Sequence, residues 1–359
     1  MRMDDIMRSS FALMIRKWRP RKFVHASLVA CGMLLIPLAA PAQQTVTLFV
    51  TSEATNTVNV FRGEAPNLKF VKGIPVGKDP HNMGISPDGK WVANSDRRSG
   101  EISIIDTESL TEVARIPVGK QPHDVSFSPD SRTLYVGHEV ETFVSVIDVE
   151  SRKKKGILQA TRGQHDISLT PDGRELWFTV TNRHYRKGDP RVGILDVGTG
   201  KLITLFDSGA NAHDVTLSPD GKVAWITNSG FTHMPDARVD YVDVAARKVL
   251  GSIQVGKYPF HSPKRGRDGN YLSPSTSELW VSDRGMEQIH AISLSKAAVV
   301  ASVPVGKHPF HIAATPQEIL FVANSGSNSV TIIDGPKRQV LGTLTVPKQP
   351  HGLAVLVRP

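Results

Sequence analysis

Cysteine is almost missing: Cys31 alone stands among 359 residues. That excludes a disulfide framework, a cysteine-based zinc site and a c-type haem attachment. Long apolar runs are as scarce. Only residues 26–38 have membrane-like character, and the run is short and broken by Gly32 and Pro37, which excludes a polytopic membrane protein. Aromatic residues make up 6% of the chain and are not interleaved with basic runs, so a single-stranded nucleic-acid surface is not indicated. No glycine-rich phosphate loop, HExxH pair or GxSxG elbow occurs in a suitable context. The net charge of +9 at first suggests a polyanion partner. Seven of the 43 basic and two of the 34 acidic residues lie in the first 42 positions, so the remainder carries only about +4. No nucleic-acid partner is expected from such a body.

That basic start reads as an export signal. Residues 16–22 are basic, 26–38 are apolar, and Ala40-Pro41-Ala42 offers small residues where a signal peptidase cuts. Residues 1–42 are therefore expected to be a signal peptide, and 43–359 a mature periplasmic chain with no stable membrane span. No twin-arginine pair precedes the apolar run, which points to general secretion. Leu28-Val29-Ala30-Cys31 resembles a lipoprotein box, but the apolar stretch before Cys31 is very short and contains His25, so lipid anchoring is the weaker reading. Removal of Cys31 leaves a mature chain without thiols, suited to an oxidising compartment.

What the chain has in quantity is a repeat. Histidines at 81, 123, 165, 213, 261, 311 and 351 are spaced by 42, 42, 48, 48, 50 and 40 residues. His-Asp-Val-Ser-Phe-Ser-Pro-Asp at 123–130 recurs with small changes at 165–172 and 213–220. Each unit reads as four short strands. The first ends at a turn such as Pro87-Asp88-Gly89, and the second opens on an aromatic (Trp91, Tyr135, Trp177, Trp225, Trp280, Phe321). The third ends near an aspartate (Asp106, Asp148, Asp196, Asp243, Asp334). Four strands in about 45 residues is the size of a propeller blade. Residues 351–357 form a first strand with nothing after it, and 45–77 supply three strands with no first. The expected fold is thus all-β: a single closed seven-bladed β-propeller whose N- and C-terminal segments share one blade, which removes exposed sheet edges. In the fifth unit, 270–274 align with the first strand and 262–267 look inserted. A monomer is expected.

Leu-Phe-Val-Ala-Asn-Ser-Gly-Ser-Asn-Ser-Val-Thr-Ile-Ile-Asp at 320–334, with degenerate copies such as Trp225-Ile226-Thr227-Asn228, resembles the signature of YVTN-family β-propeller repeat proteins. The resemblance covers essentially the whole mature chain. It implies the fold and leaves function open, because propellers serve as binding modules, electron-transfer partners and enzymes alike.

The candidate site is the ring of histidines. The first strand of a blade is innermost, so His81, His123, His165, His213, His261, His311 and His351 are expected around one mouth of the channel. Imidazoles there could ligate copper or zinc, or could bond within their own blades as in WD-repeat propellers. Asp124, Asp166 and Asp214 follow three of them, with Asn82 after a fourth, as turn caps or as partners that orient a neighbouring imidazole. Lys78, Lys120, Arg162, Lys257, Lys307 and Lys348 precede the ring, and Arg97, Arg98, His138, Arg183, His184, His233 and Arg284 lie in loops on the same face. Of these, Lys78, Lys120, Arg162, Arg183 and Arg284 are the candidates for an anionic ligand or cofactor.

Three functions fit. One is an exported binding protein holding a metal or anionic ligand at the hub. A second is a hydrolase or lyase, because Pro122-His123-Asp124-Val125-Ser126-Phe127-Ser128-Pro129-Asp130 resembles a repeat of lactonase-type propellers. Such an enzyme needs an asymmetric acid–base set, for which Glu139, Glu141, Arg183 and Arg284 are available. The third is a cell-envelope interaction scaffold. In each, a small ligand, metal or protein partner meets one face of the propeller.

Overall fold

In a computed structural model, residues 44–181, 191–229, 236–256, 270–273 and 277–358 are described. They form seven four-stranded antiparallel sheets. Among them no helix is long and apolar enough to cross a membrane. The first blade is built from Pro80–Ile85, Trp91–Asp96, Glu101–Asp106 and Thr111–Pro117, in that order from the channel outward. Five more blades repeat the pattern, with inner strands Pro122–Phe127, Gln164–Leu169, Ala212–Leu217, Asn270–Ser273 and Pro309–Ala314. In blade 7 the inner strand is the C-terminal Pro350–Arg358, paired with Thr45–Ser52 near the N-terminus. The expected closure is the observed one.

Burial explains the strand sequences. Middle strands are covered on both faces by neighbouring blades, so they are buried almost throughout, as in Ile102 to Ile105, whereas outer strands are mostly half-buried or exposed. The core consists of seven clusters, each shared by two adjacent blades. Trp280, Ile289 and Val303 of blade 5, for example, pack on Ile312, Leu320 and Ile333 of blade 6. Seven interfaces for seven blades means that the ring is closed by packing as well as by pairing. Trp91 departs from the expected aromatic core. It pairs with Asp106, two positions from the site that Tyr135, Trp177, Trp225, Trp280 and Phe321 occupy, and Ala93 fills that site instead. Trp91 is half-buried, with the Arg152 guanidinium 5.4 Å from its ring centre.

Candidate functional site

At the head of six of the seven inner strands the pairing register breaks, between Pro80 and Met83, Pro122 and Val125, Gln164 and Ile167, Ala212 and Asp214, and Pro309 and Ile312, with an equivalent shift beside Pro350. A bulge of this kind bends a strand and re-aims a side chain. One residue ahead, Asp79, Gln121, Gly163, Asn211, His308 and Gln349 hold left-handed backbone, which only Gly163 adopts without steric cost. Their carbonyls accept the N–H groups of Arg97, Glu139, Thr181, Ser229, Ser325 and Glu53, the residues that follow each second strand. Two tiers of side chains are thereby held at one mouth. The bulges carry imidazoles, and the next tier carries two acids, an arginine and three hydroxyls.

The imidazoles form a continuous arc. Ring centres are 3.7 Å apart for His213 and His165, 3.9 Å for His165 and His123, 4.5 Å for His123 and His81, and 3.7 Å for His81 and His351. In blade 6 the histidine is offset by one residue but still reaches the arc, its ring centre 5.0 Å from that of His351. Pro309 aligns with Pro80, so Phe310 occupies the histidine position, 4.2 Å from His351, and His311 sits one place further along. The signal was present as Gly-Lys-x-Pro, which fixes the next residue as His81, His123 or Phe310. His261, Lys257, Arg183, His184 and His233 lie outside the described residues.

Hydrogen bonds fix the proton positions. His123 Nδ1 lies 2.6 Å from the His165 carbonyl, which can only accept, so Nδ1 carries the proton and Nε2 presents a lone pair. His81 Nε2 is 3.0 Å from His123 Nε2 and therefore donates. His81 Nδ1 must then accept, and its partner is Glu53 Oε1 at 2.6 Å. Burial, helped by Asp79, pushes the Glu53 carboxyl up to about 7, which agrees with a protonated donor. Burial also holds His81, His165 and His351 far below the usual imidazole range and lowers His123, with Arg97 lowering His81, His123 and His351 further. His165 Nδ1 faces the His213 carbonyl at 3.2 Å.

Hydroxyls clasp the tiers from behind. Thr51, Ser95 and Thr179 each donate to the carbonyl of His81, His123 or His213 in the next blade and accept an N–H from their own inner strand. Blade 2 has Gly137 there, where a Cβ would meet Ile167 Cγ2 at 2.8 Å, and the His123 imidazole takes over the carbonyl bond. Asp124 and Asp166 bond the backbone of the next blade rather than capping a turn. Asp124 accepts the N–H of Ile167, and Asp166 that of Val215, so they lock one blade to the next. Asp214 does reach an imidazole, its own neighbour His213, at 3.2 Å, because the bulge brings adjacent residues to one side.

Among the described residues, donor atoms converge in three places: Glu53, His81 and His351; His123, Glu139 and His165; and His165, His213 and Asp214, each set lying within 4.8 Å. Glu139 Oε1 is 3.8 Å from His123 Nε2. Among the described residues, His351 Nδ1 is buried without a hydrogen-bond partner. Of the expected anion-binding residues, Arg284 stacks over Phe310 at 4.0 Å, Lys78 is exposed, and Lys120 and Arg162 line an open groove with Arg97 and Arg98. His138 is not at the mouth. It is buried within blade 2, bonded to Ser145 and the Lys120 carbonyl. Glu53 and Phe310 were not singled out from sequence.

Residues 37–264 match the sequence family described as YNCE-like β-propeller. No curated protein matches the chain. Among solved structures, Kuenenia stuttgartiensis hydrazine synthase is similar with a TM-score of 0.70 and 21% identity, over 80% of this chain and 92% of that one. A Bacteroides uniformis protein proposed to be a 6-phosphogluconolactonase gives 0.71 and 17%, over 88% and 100%. The dihydro-haem d1 dehydrogenase NirN in complex with DHE gives 0.63 and 14%, over 86% and 74%. At these identities the likeness is one of fold.

Proposed function

The chain belongs to the YNCE-like β-propeller family, and from that premise we propose that it is an exported binding protein holding a transition-metal ion on the imidazole arc. The approach of His81 Nε2 to His123 Nε2, at 3.0 Å, carries this reading. Two imidazoles on one tetrahedral ion, each about 2.0–2.1 Å from it, stand only slightly further apart. His123 also gives its other nitrogen to a backbone carbonyl, the arrangement that orients a ligating imidazole. His165 and Glu139 converge with His123 in one donor set of two imidazoles and one carboxylate, and His81 stands against that set through its contact with His123. That set suits copper or zinc. His123 and His165, each with Nδ1 turned to a carbonyl, present Nε2 lone pairs without first losing a proton, and the burial that lowers them keeps the site ready.

Binding would rearrange the protons. The proton between His81 and His123 leaves, and the Glu53 proton moves to His81 Nδ1, so that a carboxylate–imidazole pair backs the ion. Elemental analysis of the mature protein, followed by calorimetric titration with Zn²⁺ and Cu²⁺ at pH 7.5, tests the proposal. One ion per chain is expected, with affinity lowered at least 100-fold in His123→Ala/His165→Ala. His290→Ala should bind normally, because His290 bonds Ser302 and Asp283 inside blade 5. Failure of the wild type to take up either ion, or unchanged binding in the double variant, overturns it.

A further inference from the structure

Beside the arc, Arg97, Arg98, Lys120 and Arg162 line a groove of about 800 Å³. Glu141 is the one carboxylate among its described lining residues, and it is engaged, accepting the Lys120 backbone N–H at 3.0 Å. Arg97 gives its Nε–H to Asp79 at 3.0 Å, which fixes that guanidinium in the wall. Arg98, Lys120 and Arg162 are exposed, and among the described residues no carboxylate pairs with their side chains. Gly100 and Gly119 contribute backbone alone to the lining, which keeps the groove open. A concentration of like charge this close is unfavourable until an anion enters.

We propose that this groove binds a small anion carrying at least two carboxylate or phosphoryl groups. Its volume lies in the range of small-molecule sites, roughly 300–1,000 Å³. Three arginines offer planar forks that match such groups with paired hydrogen bonds. Arg97 is already answered by Asp79, and a single negative charge would leave two of the other three cations, Arg98, Lys120 and Arg162, unanswered, which sets the requirement for more than one. The groove and the arc share a wall. Gln121 lies two residues before His123, and Val140 and Glu141 directly follow Glu139. An anion lodged there extends toward the imidazoles, but its binding does not depend on the metal reading.

The test uses metal-free full-length mature protein and calorimetric titration at low ionic strength with citrate, with inorganic phosphate, and with acetate as monoanion. Citrate or phosphate should bind at least tenfold more tightly than acetate, and the better of the two identifies the group. Affinity should fall at least tenfold in Arg98→Gln/Lys120→Gln/Arg162→Gln, which alters exposed side chains alone. His123→Ala/His165→Ala should keep anion binding, so that loss of metal uptake and loss of anion uptake report separately. Absence of binding by either polyanion, equal binding of acetate, or an unaffected triple variant overturns the proposal.

Discussion

The inner strands have two ends, and their ionisable groups live under different rules. At the turn end, Asp88, Asp130, Asp172 and Asp220 each accept a hydroxyl from the serine or threonine two residues earlier, at 2.5–2.7 Å. These bonds hold Asp130 and Asp172 below the usual carboxylate range, and the groups stay charged in contact with water. At the mouth end, burial does the opposite. The Glu53 carboxyl rises to about 7 and the imidazoles fall. The turn end is repeated and locally satisfied in these four blades. The other is built from residues distant in the chain and differs from blade to blade. Strongly shifted ionisable groups cluster at functional sites, which is why the proposed metal site lies at the mouth end.

The largest effect should come from cutting away what both ends share in blade 7. Deleting residues 350–359 removes the strand that carries His351 and pairs with Thr45–Ser52, together with Leu353 and Ala354 of two interblade cores. Typical domain stability is about 5–15 kcal/mol, and an open ring forfeits most of it. No cooperative thermal transition and a non-monomeric elution profile are expected. A monomer with the wild-type melting temperature would mean that closure does not organise the mouth.

Glu53→Gln separates the two ends more finely. The amide can donate to His81 Nδ1 as the protonated acid does, so the metal-free fold should survive. It cannot become the carboxylate behind a ligated imidazole, and metal affinity should drop about 10–100-fold. Stability should also change its pH dependence. A carboxyl raised from 4.5 to about 7 stabilises the fold fully below pH 4.5 and loses that contribution as pH rises through 7. The wild type should therefore lose stability relative to the variant across that window. The lowered imidazoles act with the opposite sign, weakening the fold as pH falls below 6.5; His165, which does not touch Glu53, contributes equally to both proteins and cancels. Chemical denaturation at pH 4.5, 6 and 7.5 measures the difference, and a constant gap would show that Glu53 is not the proton donor.

This contrast also governs what could be read without coordinates. The turns, the strand order and the shared blade follow from local patterns repeated along the chain, and they are as expected. The arc was legible in part, since five of its histidines recur at the bulge. Aligning units on histidine alone sets His311 one residue out of register, where the Gly-Lys-x-Pro spacing points to Phe310. Glu53 was invisible for a different reason. It meets His81 only because the two chain ends close one blade, and no repeat predicts a residue whose partner lies across that closure. Asp124 and Asp166 looked like chemistry and proved to be fasteners between blades.

The smallest effect should be found at the turn end. Asp130→Ala removes an acceptor that takes the Ser128 hydroxyl at 2.5 Å and the Arg132 N–H at 3.1 Å, both near water. Exposed bonds of this kind are worth about 1 kcal/mol in total, because water replaces them. The depressed folded pKa sets the sign: the contribution is present above the unfolded value of 3.8 and fades as pH falls below it. The variant should therefore melt a few degrees lower at pH 7 and match the wild type near pH 3. Its metal and citrate affinities should both equal the wild type, since Phe127 to Thr133 lie at the far end of the strand from His123. A loss of metal binding comparable to that of Glu53→Gln would mean that the turns set the geometry of the mouth, and the division between a structural end and a binding end would have to be given up.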